Sequence, residues 1–144
     1  MLETAIISGL LGREMIRQSI TESTRSIFTI VSGIMTTKHF ELIELLEELD
    51  IMHYINIINS LIDDLGEKKI SNTVHLSLDN LKSIVDKILK EIKEIENEIT
   101  IFETYWFKSI RTPNFISSIE KLKIHHKVMI NRLNLLLNLI KNIN

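Results

Sequence analysis

The most regular feature of the chain is a run of apolar positions at Leu78, Leu81, Val85, Ile88, Ile92, Ile95, Ile99, Phe102 and Trp106, spaced alternately by three and four residues. That alternation keeps one stripe of a helix apolar through successive heptads. A second run, at Phe115, Ile119, Leu122, His126, Met129, Leu133, Leu136, Ile140 and Ile143, holds one register throughout. Between the two lies the only proline, in Arg111-Thr112-Pro113-Asn114. Thr is a favoured N-cap, and Pro fits the first helical position because the N–H there has no intrahelical acceptor. The pattern predicts one helix over 77–110, capped by Ser77 or Asp79, and another over 113–143. A connection this short makes the two helices antiparallel neighbours. At 1.5 Å per residue each spans about 45–50 Å. Lys82, Lys87, Lys90, Lys93, Glu91, Glu94 and Glu98 fall off the first seam and are expected on the solvated flanks, with Asp86 and Lys90 as an i,i+4 pair.

The first half is less regular. Ala5, Gly9, Gly12, Ile16, Ile20, Ser23, Ile27, Ile30 and Ile34 form a seam that predicts a long helix over 1–35, closing near Gly33. Leu2, Ile6, Leu10 and Leu11 widen its apolar surface at the start, where Gly9 and Gly12 permit close approach of a neighbour. Two shorter helices are expected within 38–65. The first carries Phe40, Leu42, Ile43, Leu45, Leu46 and Leu49. The second is capped by Asp50 and stopped at Leu65-Gly66. That second helix bears Ile51, Tyr54, Ile55, Ile57, Ile58, Leu61, Ile62 and Leu65, apolar around more than half its circumference. A helix with one buried face shows a narrower stripe, so this one is either central or covered by a second chain. Residues 66–76 read as a linker. The one alternating run, Val74-His75-Leu76-Ser77-Leu78, has no second strand to pair with. The expected fold is therefore all-α: an elongated antiparallel helical bundle over 1–144, ending in a long C-terminal α-hairpin.

Composition sharpens this picture in two ways. With 27 Ile and 19 Leu but one Ala, the core must be built from large aliphatic side chains, which hold helices well apart. The absence of Cys removes disulfides, thiolate metal sites and cysteine nucleophiles. No apolar run reaches the roughly 20 residues a membrane span needs, and no basic start precedes a signal-like stretch, so a soluble, intracellular protein is expected.

Candidate chemistry is sparse. His125-His126 is the only paired imidazole, and His126 falls on the seam. Metal ligands on one helix recur at i, i+3 or i+4, but the residues three and four before His126 are Lys123 and Leu122. A packed polar spacer that helps set register is the expected role, and no metal or other cofactor is expected. No phosphate loop, dinucleotide fingerprint, nucleophile elbow or His-Glu-x-x-His is present, so an enzyme is not expected. Tyr105-Trp106-Phe107 places three aromatics in succession, which cannot all face one core. Together with Ile51, Tyr54, Ile57, Ile58 and Leu61 they make a candidate interface. Lys121, Lys123, Lys127 and Arg132 make a candidate basic face. It lacks the interleaved aromatics of a base-stacking platform.

Charge is distributed unevenly. From His39 to Glu67 there are eight acidic residues and no Lys or Arg; from Lys108 to Asn144 there are seven basic residues and one acidic. Complementary fields of this kind steer association and fix register. Acidic helices docking on the basic helix, within the chain or across to a neighbour, are therefore expected.

At Leu46-Glu47-Glu48-Leu49-Asp50-Ile51 and Tyr105-Trp106-Phe107-Lys108-Ser109-Ile110-Arg111-Thr112-Pro113-Asn114, the chain resembles small helical proteins of large DNA viruses of protists. Its Ile-, Asn- and Lys-rich usage is similar to that of their AT-rich genomes. The resemblance implies a virus-encoded structural or interaction protein, located in the virion or the host cytoplasm, and supplies no site residues. The expected function is a non-enzymatic structural or assembly protein that works through helix faces, with a protein partner or a homo-oligomer. The alternative is a nucleic-acid-associated accessory protein using the 121–132 face.

Overall fold

A computed structural model describes residues 2–66, 68–104 and 115–142, with side chains from Glu14 onward except that of Ile116. Five helices follow in order: α1 (Leu2–Met35), α2 (Phe40–Leu49), α3 (Ile51–Leu65), α4 (Asn72–Thr104) and α5 (Ile116–Lys141). The described residues are 90% helical and contain no strand. The protein is an all-α bundle, with α4 packed against both α1 and α5.

The antiparallel course of α4 and α5 is visible in three cross-helix contacts. The His39 ring lies against both Phe102 and Phe115. His125 meets Glu91, and Arg132 donates to the Asn80 carbonyl at 2.8 Å. Position numbers rise along α5 as they fall along α4. Leu78, Leu81, Val85, Ile88, Ile92 and Ile95 of the first seam are buried, as are Leu122, His126, Met129, Leu133 and Leu136 of the second. Trp106 and Ile143 lie outside the described residues.

Burial on α4 extends beyond its seam to Ser77, Ile84 and Glu91, at intervals of seven. Two neighbours cause this. Glu91 reaches His125 of α5 on one flank, while Asp86 on the other accepts from Ser23 Oγ of α1 at 2.7 Å. Glu91 is therefore not on a solvated flank as its spacing suggested. Asp86 pairs with Lys82 at 2.8 Å rather than with Lys90.

Three boundaries depart from the sequence reading. Helix α4 begins at Asn72, not at Ser77, because Ser71 caps it: Ser71 Oγ accepts from the Val74 N–H at 3.2 Å. This is an N-cap side chain satisfying one of the otherwise orphan first-turn amides. Asp50 occupies the cap position of α3 but makes no side-chain cap bond. Its backbone is left-handed, with φ 54°, so it turns the chain sharply between α2 and α3 while its own carbonyl accepts from His53 and Tyr54. Helix α5 begins at Ile116, with Phe115 as its cap residue and the first helical bond running from Ile119 N–H to the Phe115 carbonyl. The expected turn at 111–114, with Pro113, lies outside the described residues. The stop at Gly66 stands as read, with φ 44° and its N–H donated to Ile62.

Helix α3 is covered within the chain. Ile51, Ile55, Ile58, Leu61 and Ile62 are buried in the core, and Met52, Tyr54, Ile57 and Leu65 pack partly against it. Thr24 of α1, fully enclosed, sits 2.7 Å from Asn59 Oδ1 and ties α1 to α3 through a polar contact. The broad apolar surface of α3 is thus accounted for by α1 and the hairpin, without a second chain.

Candidate interaction surface

Two faces of the molecule carry the segregated charge. On α2, helical spacing puts Leu42, Leu45 and Leu46 inward, where they are buried. The opposite face presents Glu41, Glu44, Glu47 and Glu48, all exposed, with Phe40 at 73% exposure. On α5, Leu122, His126 and Met129 face the core. Lys121 and Lys127 are exposed three residues to either side of Ile124, itself 63% exposed, and Lys123 is exposed beside it. Glu120 is the one exposed acid on that helix.

The two faces are neighbours. At one end of α2 the His39 ring stands edge-on to Phe115, centroids 5.7 Å apart. Just beyond the other, the Tyr54 ring at the start of α3 stands edge-on to His126, centroids 5.4 Å apart. These ring contacts bring the two ends of the α2 segment to the first half of α5, while the packing of α2 itself is chiefly against α1. Among the described residues no ion pair joins the acidic side chains of α2 and α3 to a Lys or Arg of α5. Docking of acidic on basic elements within the chain therefore does not proceed through direct pairs.

The other expected site residues divide as follows. Arg132 is half-buried and committed to the Asn80 carbonyl, so it clamps α5 to α4 and leaves the basic face to the three lysines. Ile51, Ile58 and Leu61 are core residues, with Tyr54 and Ile57 partly buried against them. Tyr105, Trp106 and Phe107 lie outside the described residues. Phe40 had been read only as part of α2's apolar pattern. Its place on the exposed face follows from its position opposite Leu42, Leu45 and Leu46 around the helix.

Beneath α2 sits a group of buried polar side chains. His126 is 7% exposed, with its ring edge-on to Tyr54 at 5.4 Å. Desolvation lowers its pKa below 6.5, against the opposing influence of the Leu49 carbonyl and the Asp50 charge. Its Nε2 has no partner, nor does Oε2 of Glu91, which is 4% exposed and 3.9 Å from His125. Among the described residues no three His, Asp or Glu side chains converge in a way that could hold a metal ion. A cleft of about 340 Å³ opens where α3 turns into α4, with Leu61, Leu65, Val74 and Ile140 lining it and Lys68 and Asp64 among its polar groups. Among the described residues no helix is long and apolar enough to cross a membrane.

The chain matches no known protein family, and neither a curated protein nor a solved structure is detectably similar to it. Its class is accordingly defined by its own features: an all-α bundle, with five helices among the described residues, that exposes glutamates on α2 and lysines on α5.

Proposed function

We propose that the protein is a non-enzymatic assembly component that binds other protein through its charged helix faces. The observation that carries this reading is the pair of opposite-signed faces on α2 and α5, exposed and, among the described residues, not ion-paired to each other. Complementary charge contributes to orientation and rate of association, which suits a protein that must find one partner geometry. The likeness at 46–51 and 105–114 to small proteins of large DNA viruses points to a viral particle, or a complex in its host, as the setting. Sedimentation of a native lysate of the cell that makes the chain tests the reading. The chain is expected in fractions far heavier than its own 16.7 kDa. Recovery solely as a free chain or a pair of chains would overturn it.

A further inference from the structure

We infer that the adjoining faces of α2 and α5 are the docking surface for a second copy of this chain, related by a two-fold axis, with the glutamate ridge of each copy against the lysine ridge of the other. The inference rests on the assembly reading and names the first partner that assembly would use.

A two-fold axis brings the same patch of both copies together, so the patch must complement itself. A surface of one charge sign repels its own copy. A surface with an acidic and a basic ridge in parallel complements itself, because the rotation exchanges them. Here α2 supplies Glu41, Glu44, Glu47 and Glu48, and α5 supplies Lys121, Lys123 and Lys127, all exposed. Ring contacts of His39 with Phe115 and of Tyr54 with His126 tether the two ends of the α2 segment to the first half of α5, which keeps the two charged faces in one region of the surface.

Each ridge also carries one large apolar side chain in the open, Phe40 on α2 and Ile124 on α5. Aromatic and aliphatic anchors rimmed by charge are the usual anatomy of a protein interface. The same arrangement disfavours the nucleic-acid alternative. A phosphate backbone laid on the three lysines would run beside four glutamates, which repel it. An anionic lipid surface meets the same obstacle.

Two charge-reversed variants test the inference by sedimentation equilibrium. One carries Glu41→Lys, Glu44→Lys and Glu48→Lys; the other carries Lys121→Glu, Lys123→Glu and Lys127→Glu. All six positions are exposed, so both variants are expected to keep the helical circular dichroism of the parent. The unaltered chain is expected to form a two-chain species that weakens about tenfold when salt rises from about 50 mM to about 500 mM. Each variant alone is expected to stay a single chain where the parent pairs, and an equimolar mixture of the two to restore the two-chain species. The single changes Glu44→Lys and Lys123→Glu, mixed in the same way, replace the triple sets if either fails to fold. A parent chain that remains single at hundreds of micromolar in low salt would overturn the inference. So would pairing indifferent to both reversals, or a mixture that does not associate. If the parent stays single yet binds duplex DNA through the three lysines, the face belongs to nucleic acid. A single chain in purified form that still sediments in a heavy cellular complex removes this inference and leaves the assembly reading standing.

Discussion

His126 occupies a position where its neighbours along the seam, Leu122, Met129 and Leu133, are apolar and buried. Its spacing from them made the enclosure legible in the sequence. What spacing could not supply is the partner, because Asp50 and Tyr54 come from a different part of the chain and come near the ring only in the folded bundle. The groups around it are Asp50 and Tyr54 from the α2–α3 elbow and α3, with His125 and Glu91 nearby. Burial disfavours the imidazolium, so the unfolded chain takes up a proton at higher pH than the folded one. The contribution to stability is therefore complete above pH 6.5 and is lost as pH falls from there to the lowered folded value, below which the loss is constant. Thermal melts from pH 8 to pH 5 are expected to show this fall in the parent and a shallower one in His126→Leu. At neutral pH the substitution should change stability by no more than about 1 kcal/mol, since it removes the unpartnered Nε2 but gives up the edge-on contact with Tyr54. An identical pH profile in both proteins would rule out His126 as the source.

At the scale of the element, the heptad seams carried most of what the sequence could say. Two features escaped them. The start of α4 was hidden because Val74-His75-Leu76-Ser77-Leu78 alternates like a strand, while the Ser71 cap that begins the helix lies in what read as a linker. Glu91 was hidden because a seam describes contact with one neighbour, and α4 has one on each flank. The candidate site was less legible still. Charge segregation was visible as composition, but adjacency of α2 and α5 depends on the left-handed turn at Asp50 and on the ring contacts of His39. The register itself predicts a sharp contrast between adjacent positions. Ile92 is fully enclosed and Lys93 exposed. Ile92→Asp buries a carboxyl among aliphatic side chains and should lower stability by about 3 kcal/mol or more. Lys93→Asp should leave the denaturant midpoint nearly where it was. Equal midpoints for the two variants in a urea titration would contradict the register.

At the scale of the whole molecule, the described apolar seams are spent on one internal core, while Phe40 and Ile124 stay exposed among the charges of α2 and α5. The breadth of α3 called for either a central place or a second chain, and the structure packs that surface into the core against α1 and α5. On two elements the exposed charge is ordered by sign, glutamates on α2 and lysines on α5, while α4 exposes both signs. The most direct measurement is carbodiimide cross-linking of an equal mixture of unlabelled and uniformly ¹⁵N-labelled chains, which joins carboxylates to amines already in contact. Peptides carrying Glu41, Glu44, Glu47 or Glu48 of one isotope linked to peptides carrying Lys121, Lys123 or Lys127 of the other are the predicted product, lost in high salt. Links between these ridges only within one isotope, or mixed-isotope links concentrated elsewhere on the surface, would contradict it.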